Sequence, residues 1–404
     1  MKNIIKQFLI LLFTLSLLFT LGYSIVGLNE NDNNMNEMPK ENESEHEDNK
    51  TEPDADEEKD NEDNKELFDE YEDIALKTLE ELSIEEKVGQ IFLVRCPLPE
   101  DLDYFMSMKP GGFILFGRDF VDKTKDDVIK DIESYQDKSK IPMIIGVDEE
   151  GGTVVRVSSN YMLADERFKS PQELYNIGGF EEIKNDTYTK SNLLLDLGIN
   201  LNLAPVADVS ENKTDFIYQR AFGKSAEETS KYVNIVVEAM KESGISGTLK
   251  HFPGYGNNVD THTGSAYDNR PYSNFKNNDF LPFSAGIETG VESILVSHNI
   301  IESMDAELPA SLSKEVITIL RNELNFTGVI MTDDLSMGSI TNLQLSKSPE
   351  VVALLAGNDM LIVTDYETSY NAILNAVKNE EISMDRLNES VLRILKWKYY
   401  MGIM

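Results

Sequence analysis

From about residue 83 onward, short unbroken apolar runs alternate with longer stretches whose apolar residues recur at helical spacing. The runs predict strands over 91–95, 112–116, 143–147, 200–203, 247–249, 293–296, 328–331 and 360–363. Helical patterns fill the gaps, among them 126–136, 226–242, 314–324 and 368–377, with a closing helix around 392–396. Ser83, followed three residues later by Glu86, predicts a capping box ahead of the first strand. There the hydroxyl and the carboxylate each satisfy a backbone N–H that a helix start leaves unpaired. Runs that are apolar throughout, rather than alternating, belong to strands buried on both faces of a parallel sheet. Eight such units predict an α/β fold, a single (β/α)8 TIM-type barrel whose chemistry sits at the C-terminal strand ends.

The first 68 residues follow other rules. Lys2 and Lys6 precede an apolar run from Phe8 to about Gly27, near the roughly 20 residues that a membrane-spanning helix needs. No small-x-small cleavage pattern follows it and no Cys stands nearby to carry a lipid. Residues 1–28 are therefore expected to be an N-terminal hydrophobic helix, a signal peptide or, by preference, a membrane anchor. Positive charge before the run and acidity after it place the rest of the chain outside the cytoplasm. Residues 29–68 are dominated by Glu, Asp and Asn and hold few large apolar side chains, so they are expected to form a disordered acidic linker. This leaves 69–404 as the barrel, enough chain for one large core.

Composition narrows the partners. Much of the formal net charge of −35 sits in the linker, and no basic patch exists to neutralise phosphates, so nucleic acid is not expected as a partner. Cys96 is the only cysteine, so no disulfide can form within the chain. No His/Cys cluster has zinc spacing and no phosphate-binding glycine signature occurs, so neither metal nor organic cofactor is expected.

The candidate chemistry lies at the predicted strand ends. Asp148 follows the third strand and Arg220 lies in the loop after the fourth; Lys250 and His251 end the fifth and His298 the sixth. Asp333 ends the seventh and Asp365 the eighth. Ionisable groups at the ends of buried strands are costly unless paired or used. Asp333 is the candidate nucleophile, since a carboxylate fixed at a barrel strand end can attack an anomeric carbon; its neighbour Asp334 is read as supporting it. The loop after the fifth strand carries Asp260-Thr261-His262, whose spacing lets a carboxylate orient and charge an imidazole for acid/base work near neutral pH. Lys250 and His251 suit holding substrate hydroxyls, and Arg156 and Arg220 suit forked hydrogen bonds to sugar oxygens. His298 is read as a structural, barrel-lining side chain.

These residues stand in motifs that resemble glycoside hydrolase family 3, specifically its β-N-acetylglucosaminidase (β-hexosaminidase) branch. Asp148-Glu149-Glu150-Gly151-Gly152 with Arg156 resembles the family's strand-three motif, Leu203-Ala204-Pro205-Val206-Ala207-Asp208 its strand-four motif, and Arg220-Ala221-Phe222-Gly223 its R-x-F-G. Lys250-His251-Phe252-Pro253-Gly254 matches the K-H-F-P-G hallmark, and Thr332-Asp333-Asp334-Leu335-Ser336-Met337 is similar to the nucleophile motif. The resemblance implies Asp333 as nucleophile, His262 as acid/base with Asp260 as its dyad partner, and Asp148, Arg156, Arg220, Lys250 and His251 as substrate-binding. The branch rests on the Asp260–His262 pair, which replaces a Glu acid/base used by the family's β-glucosidases. Three positions depart from the pattern: Tyr255 stands where a His is usual, the stretch from Gly256 to the dyad is one residue shorter, and Thr153 replaces an Arg.

The expectation is a retaining β-N-acetylhexosaminidase acting on β-linked N-acetylglucosamine in cell-wall (peptidoglycan) glycans or muropeptides, extracytoplasmic and either membrane-anchored or secreted. Alternatives are a β-glucosidase or phosphorylase of the same family, an inactive sugar-binding barrel and, last, a metal-dependent lyase using Asp333, Asp334 and Lys250.

Overall fold

The computed structural model describes residues 66–258, 261 and 266–404. The apolar run at 8–27, nearly all of the acidic linker, and the pair Asp260 and His262 lie outside the described residues. No helix among those described is long and apolar enough to cross a membrane.

Local sequence fixes the helix starts. Ser83 accepts the Glu86 N–H at 3.2 Å while Glu86 accepts the Ser83 N–H at 2.9 Å, the reciprocal box its spacing predicts. Thr124 and Ser170 form the same box with Asp127 and Glu173, and Ser225, Ser313 and Ser383 cap three further helices. Each such hydroxyl is worth about 1 kcal/mol to its helix.

Among the described residues ten strands follow in chain order: β1 (Phe92–Arg95), β2 (Gly112–Leu115), β3 (Ile144–Val147), β4 (Leu201–Asn202), β5 (Ser246–Phe252), β6 (Tyr267–Asp268), β7 (Ser293–Val296), β8 (Ile300–Ile301), β9 (Val329–Thr332) and β10 (Leu361–Val363). Eight of them form one sheet in the order β10-β1-β2-β3-β4-β5-β7-β9, every pair parallel. The two end strands meet where Met331 bridges Met360 and the Thr332 N–H donates to the Met360 carbonyl at 3.1 Å, nearly closing the barrel. Residues of β2, β3, β5, β7 and β9 are buried without alternation, as expected of strands covered on both faces. β6 and β8 make a separate two-stranded ribbon above the fifth and sixth barrel strands. Nothing in the hydrophobic pattern marks it.

The helix Met384–Tyr400 seals the barrel with Trp397, fully buried, whose Nε1 donates to Ser246 Oγ at 3.0 Å. The folded body begins slightly before the expected boundary. Phe68, the last residue assigned to the linker, is 1% exposed and packs on Tyr400 with ring centroids 5.2 Å apart. An aromatic side chain at the edge of an acidic segment gains more by burial than the segment gains by staying solvated.

Candidate active site

β5 runs longer than its apolar stretch suggests, because Lys250 and His251 extend the ladder as strand residues while their side chains find partners across the barrel mouth. Lys250 Nζ donates to Asp148 Oδ1 at 2.7 Å and lies 2.6 Å from Glu150 Oε1. Arg220 reaches the same carboxylate by a fork, Nε to Oε2 at 3.0 Å and Nη2 to Oε1 at 2.7 Å. Burial by itself would raise the Glu150 pKa, but the Arg220 and Lys250 charges beside it hold it well below the ordinary carboxylate range.

A second arm positions His251. Arg220 Nη2 stands 3.1 Å from His251 Nε2, and a guanidinium only donates, so Nε2 accepts. The proton therefore sits on Nδ1, which donates to Asp208 Oδ2 at 2.8 Å. Asp208 also takes the backbone N–H groups of His251 at 3.1 Å and Tyr255 at 2.7 Å. Gly254 makes this turn possible. Its φ of +121° is a conformation that L side chains rarely adopt, and an added Cβ would lie 2.5 Å from Asp279 Oδ1.

Glu149 builds the loop after β3 without entering the site. Its carboxylate accepts the backbone N–H groups of Arg156 and Val157 at 2.7 Å each and of Ser158 at 3.2 Å. That curl brings the Arg156 guanidinium to 3.6 Å from Asp148 Oδ2. Arg156 and Arg95 flank the Phe116 ring, at 5.5 and 4.8 Å from its centroid.

Across the mouth, the Asp333 N–H donates to the Val296 carbonyl at 3.1 Å, and Asp333 Oδ1 accepts the Asp334 N–H at 2.8 Å. Asp334 is occupied by its own loop and by the loop after β10. It takes the Ser336 N–H and hydroxyl at 2.9 and 2.7 Å and the Thr364 hydroxyl at 2.7 Å. His298 is fully buried beneath, between Ser311 Oγ at 2.7 Å and the Asp334 carbonyl at 3.0 Å.

The structure thus gathers Asp148, Arg156, Arg220, Lys250, His251 and Asp333 around one cavity of roughly 490 Å³. That volume is ordinary for a small-molecule site. Fixed cations and carboxylates around the cavity can donate to and accept from several hydroxyls of one sugar. Asp365 does not join them. It is exposed and caps the helix Tyr366–Lys378, while Thr364 takes the place on the wall. Among the described residues no cluster of three or more His, Cys, Asp or Glu is arranged to hold a metal ion. Sequence reasoning did not single out Arg95, Glu150 or Asp208 as site residues. Glu150 and Asp208 lie inside the strand-three and strand-four motifs, which is a signal for them; Arg95 has none beyond its place at the end of β1.

A model of the glycosyl hydrolase family 3 N terminal domain matches residues 83–397. The β-hexosaminidase of Methylococcus capsulatus is 29% identical over 285 residues, which cover 70% of this chain and 84% of its own. A glycoside hydrolase family 3 β-N-acetylglucosaminidase from Paenibacillus sp. str. FPU-7 superposes with a TM-score of 0.74 at 27% identity, over 80% of this chain and 63% of that longer one. A β-glucoside phosphorylase shares the fold at 24% identity, with a TM-score of 0.73 over 82% of this chain and 61% of that one. The family match spans all eight barrel strands and every residue around the cavity, and the chain belongs to glycosyl hydrolase family 3.

Proposed function

We propose that the protein is a retaining β-N-acetylhexosaminidase that removes terminal β-linked N-acetylglucosamine from cell-wall glycans or muropeptides. The observation that carries this reading is the gathering of five hydroxyl-binding side chains opposite Asp333, in a chain whose relatives are β-hexosaminidases. Asp333 attacks the anomeric carbon as the bond to the aglycone oxygen breaks, and that oxygen takes its proton from the His262 imidazolium. In the second step neutral His262 takes a proton from water. The water oxygen bonds the anomeric carbon, the ester to Asp333 breaks and the sugar leaves with its original configuration. Asp260 orients and charges the imidazole. The acidic stretch and the apolar run before it fit an extracytoplasmic enzyme tethered to a membrane and reaching a substrate beyond its surface.

The test is release of a chromogenic leaving group from the β-N-acetylglucosaminide and the β-glucoside, with Asp333→Asn alongside and the first-formed anomer followed by NMR. The reading expects preference for the acetylated sugar, a β product, and a loss in the variant on the order of 10⁴-fold or more. Preference for the glucoside would overturn the substrate. Turnover that requires inorganic phosphate and yields a glycosyl phosphate would make the enzyme a phosphorylase. Wild-type turnover by the variant would remove Asp333 from the mechanism.

A further inference from the structure

Tyr255 departs from the family pattern, and the structure gives it a set of contacts that no sugar-binding role requires. Its backbone N–H is held by Asp208, the same carboxylate that fixes His251. Its ring is 3% exposed and packs edge-on to His251 at 5.4 Å and tilted against Phe216 at 5.7 Å. At its far end the hydroxyl meets the fully buried Thr261 twice, bonding Thr261 Oγ1 and accepting the Thr261 N–H at 3.4 Å. The Thr261 carbonyl in turn accepts the Ser339 N–H at 3.2 Å. Ser339 belongs to the helix Gly338–Thr341, which opens five residues after Asp333. Thr261 is thereby tied on one side to the turn that fixes His251 and on the other to the segment that follows Asp333.

Thr261 is the residue between Asp260 and His262 in sequence. We propose that Tyr255 is a positioning residue for proton transfer: through Thr261 it fixes where the chain passes between Asp260 and His262, in register with the Asp333 loop. This rests on the acid/base reading of His262 given above. A hydrogen bond from a buried tyrosine suits the task because the phenol is rigid, with only two torsions between backbone and hydroxyl. It also keeps its proton. Burial foremost, with the Asp333 charge adding to it, pushes the Tyr255 hydroxyl above its ordinary value, so the clasp does not loosen across the working pH range. Misplacing an acid/base group by about an ångström costs roughly a hundredfold in the step it serves. That step matters only where the leaving oxygen needs a proton.

The discriminating experiment compares β-N-acetylglucosaminides with a poor leaving group, an alkyl alcohol, and an activated one, 2,4-dinitrophenol. Tyr255→Phe removes one oxygen, Thr261→Val removes the other, and Thr261→Ser restores it. His262→Ala serves as reference. The clasp predicts that Tyr255→Phe and Thr261→Val each lower kcat/KM for the alkyl glycoside by about tenfold to a hundredfold more than for the dinitrophenyl glycoside. It further predicts that the double variant falls little below either single one, and that Thr261→Ser recovers most of the loss. A Tyr255→Phe loss equal for both substrates would overturn the proposal, as would additive single losses. Should Tyr255→Phe fail to fold, the Thr261→Val and Thr261→Ser pair decides by the same ratio. If His262→Ala itself shows no dependence on leaving group, the acid/base reading has failed. If His262→Ala shows it and neither clasp variant does, only the clasp has failed.

Discussion

Two carboxylates at opposite ends of the barrel are buried between pairs of cations, and of the two it is Glu150 that lines the cavity bordered by Asp333. Glu150, above the C-terminal strand ends, lies between Arg220 and Lys250. Asp359, just before β10 at the other end, lies between Arg321 and Arg393 at 2.6 Å each. Burial would raise both carboxyls, and the neighbouring cations, Arg220 with Lys250 and Arg393 with Arg321, lower both instead. Buried paired charge is thus common to a site and to a structural knot. The difference lies in what closes the remaining valences. At the lower end backbone does so: the Ile330 N–H donates to Asp359 at 2.9 Å, and Arg321 donates to the Phe326 and Gly328 carbonyls at 2.8 and 2.7 Å. At the upper end the same network opens on a cavity where ligand can supply partners. Barrels place stability at the lower face and chemistry at the upper one.

Breaking the two clusters should separate those roles. Asp359→Ala leaves two guanidiniums without their shared counterion, and breaking such a buried pair costs about 3–5 kcal/mol. Urea denaturation should show that loss, while kcat/KM of the folded enzyme stays close to wild type. Glu150→Gln is the reverse case. Lys250 retains Asp148, and the cavity admits water, so the stability loss should be smaller, about 1–2 kcal/mol. Arg220 and Lys250 lose the carboxylate that aligns them, and kcat/KM should fall on the order of a hundredfold. Equal stability losses with equal activities would erase the distinction between the two ends.

The lower end was legible as fold and the upper end only in part. The eight apolar runs declared the barrel because burial on both faces leaves no polar alternation to confuse them. The apolar run of β5 stops at Leu249 because the strand's next residues, Lys250 and His251, are ionisable; its full length depends on Asp148, Glu150 and Asp208, which sequence proximity does not bring near. Glu150 and Asp208 act on residues 70 and 43 positions away, a pairing that local pattern does not encode. The ribbon of β6 and β8 is two residues per strand, too short to carry a period.

A buried amine that meets no carboxylate among the described residues gives a smaller and pH-dependent contrast. Lys398, fully buried, donates to Gln90 Oε1 at 2.7 Å, and burial pushes its amine down to about 7. An amine whose folded pKa lies below the unfolded one destabilises the fold fully below the lower value, and the penalty fades as pH rises towards the ordinary lysine value. Lys398→Met should therefore be more stable than wild type at pH 7, by on the order of 1–3 kcal/mol, with the advantage shrinking as pH rises towards about 10. Glu292 acts in another window. Burial raises it to about 7, so its contribution is present at pH values below the ordinary carboxylate range and is lost as pH rises to about 7. Because both chains keep Glu292, the difference between them at each pH isolates Lys398. A difference independent of pH would mean that Lys398 keeps its proton in the folded protein, its charge already compensated there.

The smallest expected effect belongs to a pair of aspartates that look alike in sequence. Asp333 and Asp365 each follow a Thr after an apolar run, yet only Asp333 borders the cavity. One residue of strand length separates them. β9 includes its Thr332, whose hydroxyl accepts the Ile362 N–H at 3.2 Å, so the next side chain, Asp333, reaches the mouth. β10 stops at Val363, so Thr364 takes the cavity position and donates to Asp334, and Asp365 turns outward to accept the Thr368 N–H at 3.4 Å. A one-residue shift exchanges the faces of a strand's side chains. Asp365→Ala should lower stability by about 0.5 kcal/mol, the low end for a helix cap because the bond is long and exposed, and should leave kcat/KM within about twofold of wild type. A loss of activity approaching that of Asp333→Asn would mean that the exposed carboxylate folds back over the cavity when substrate binds.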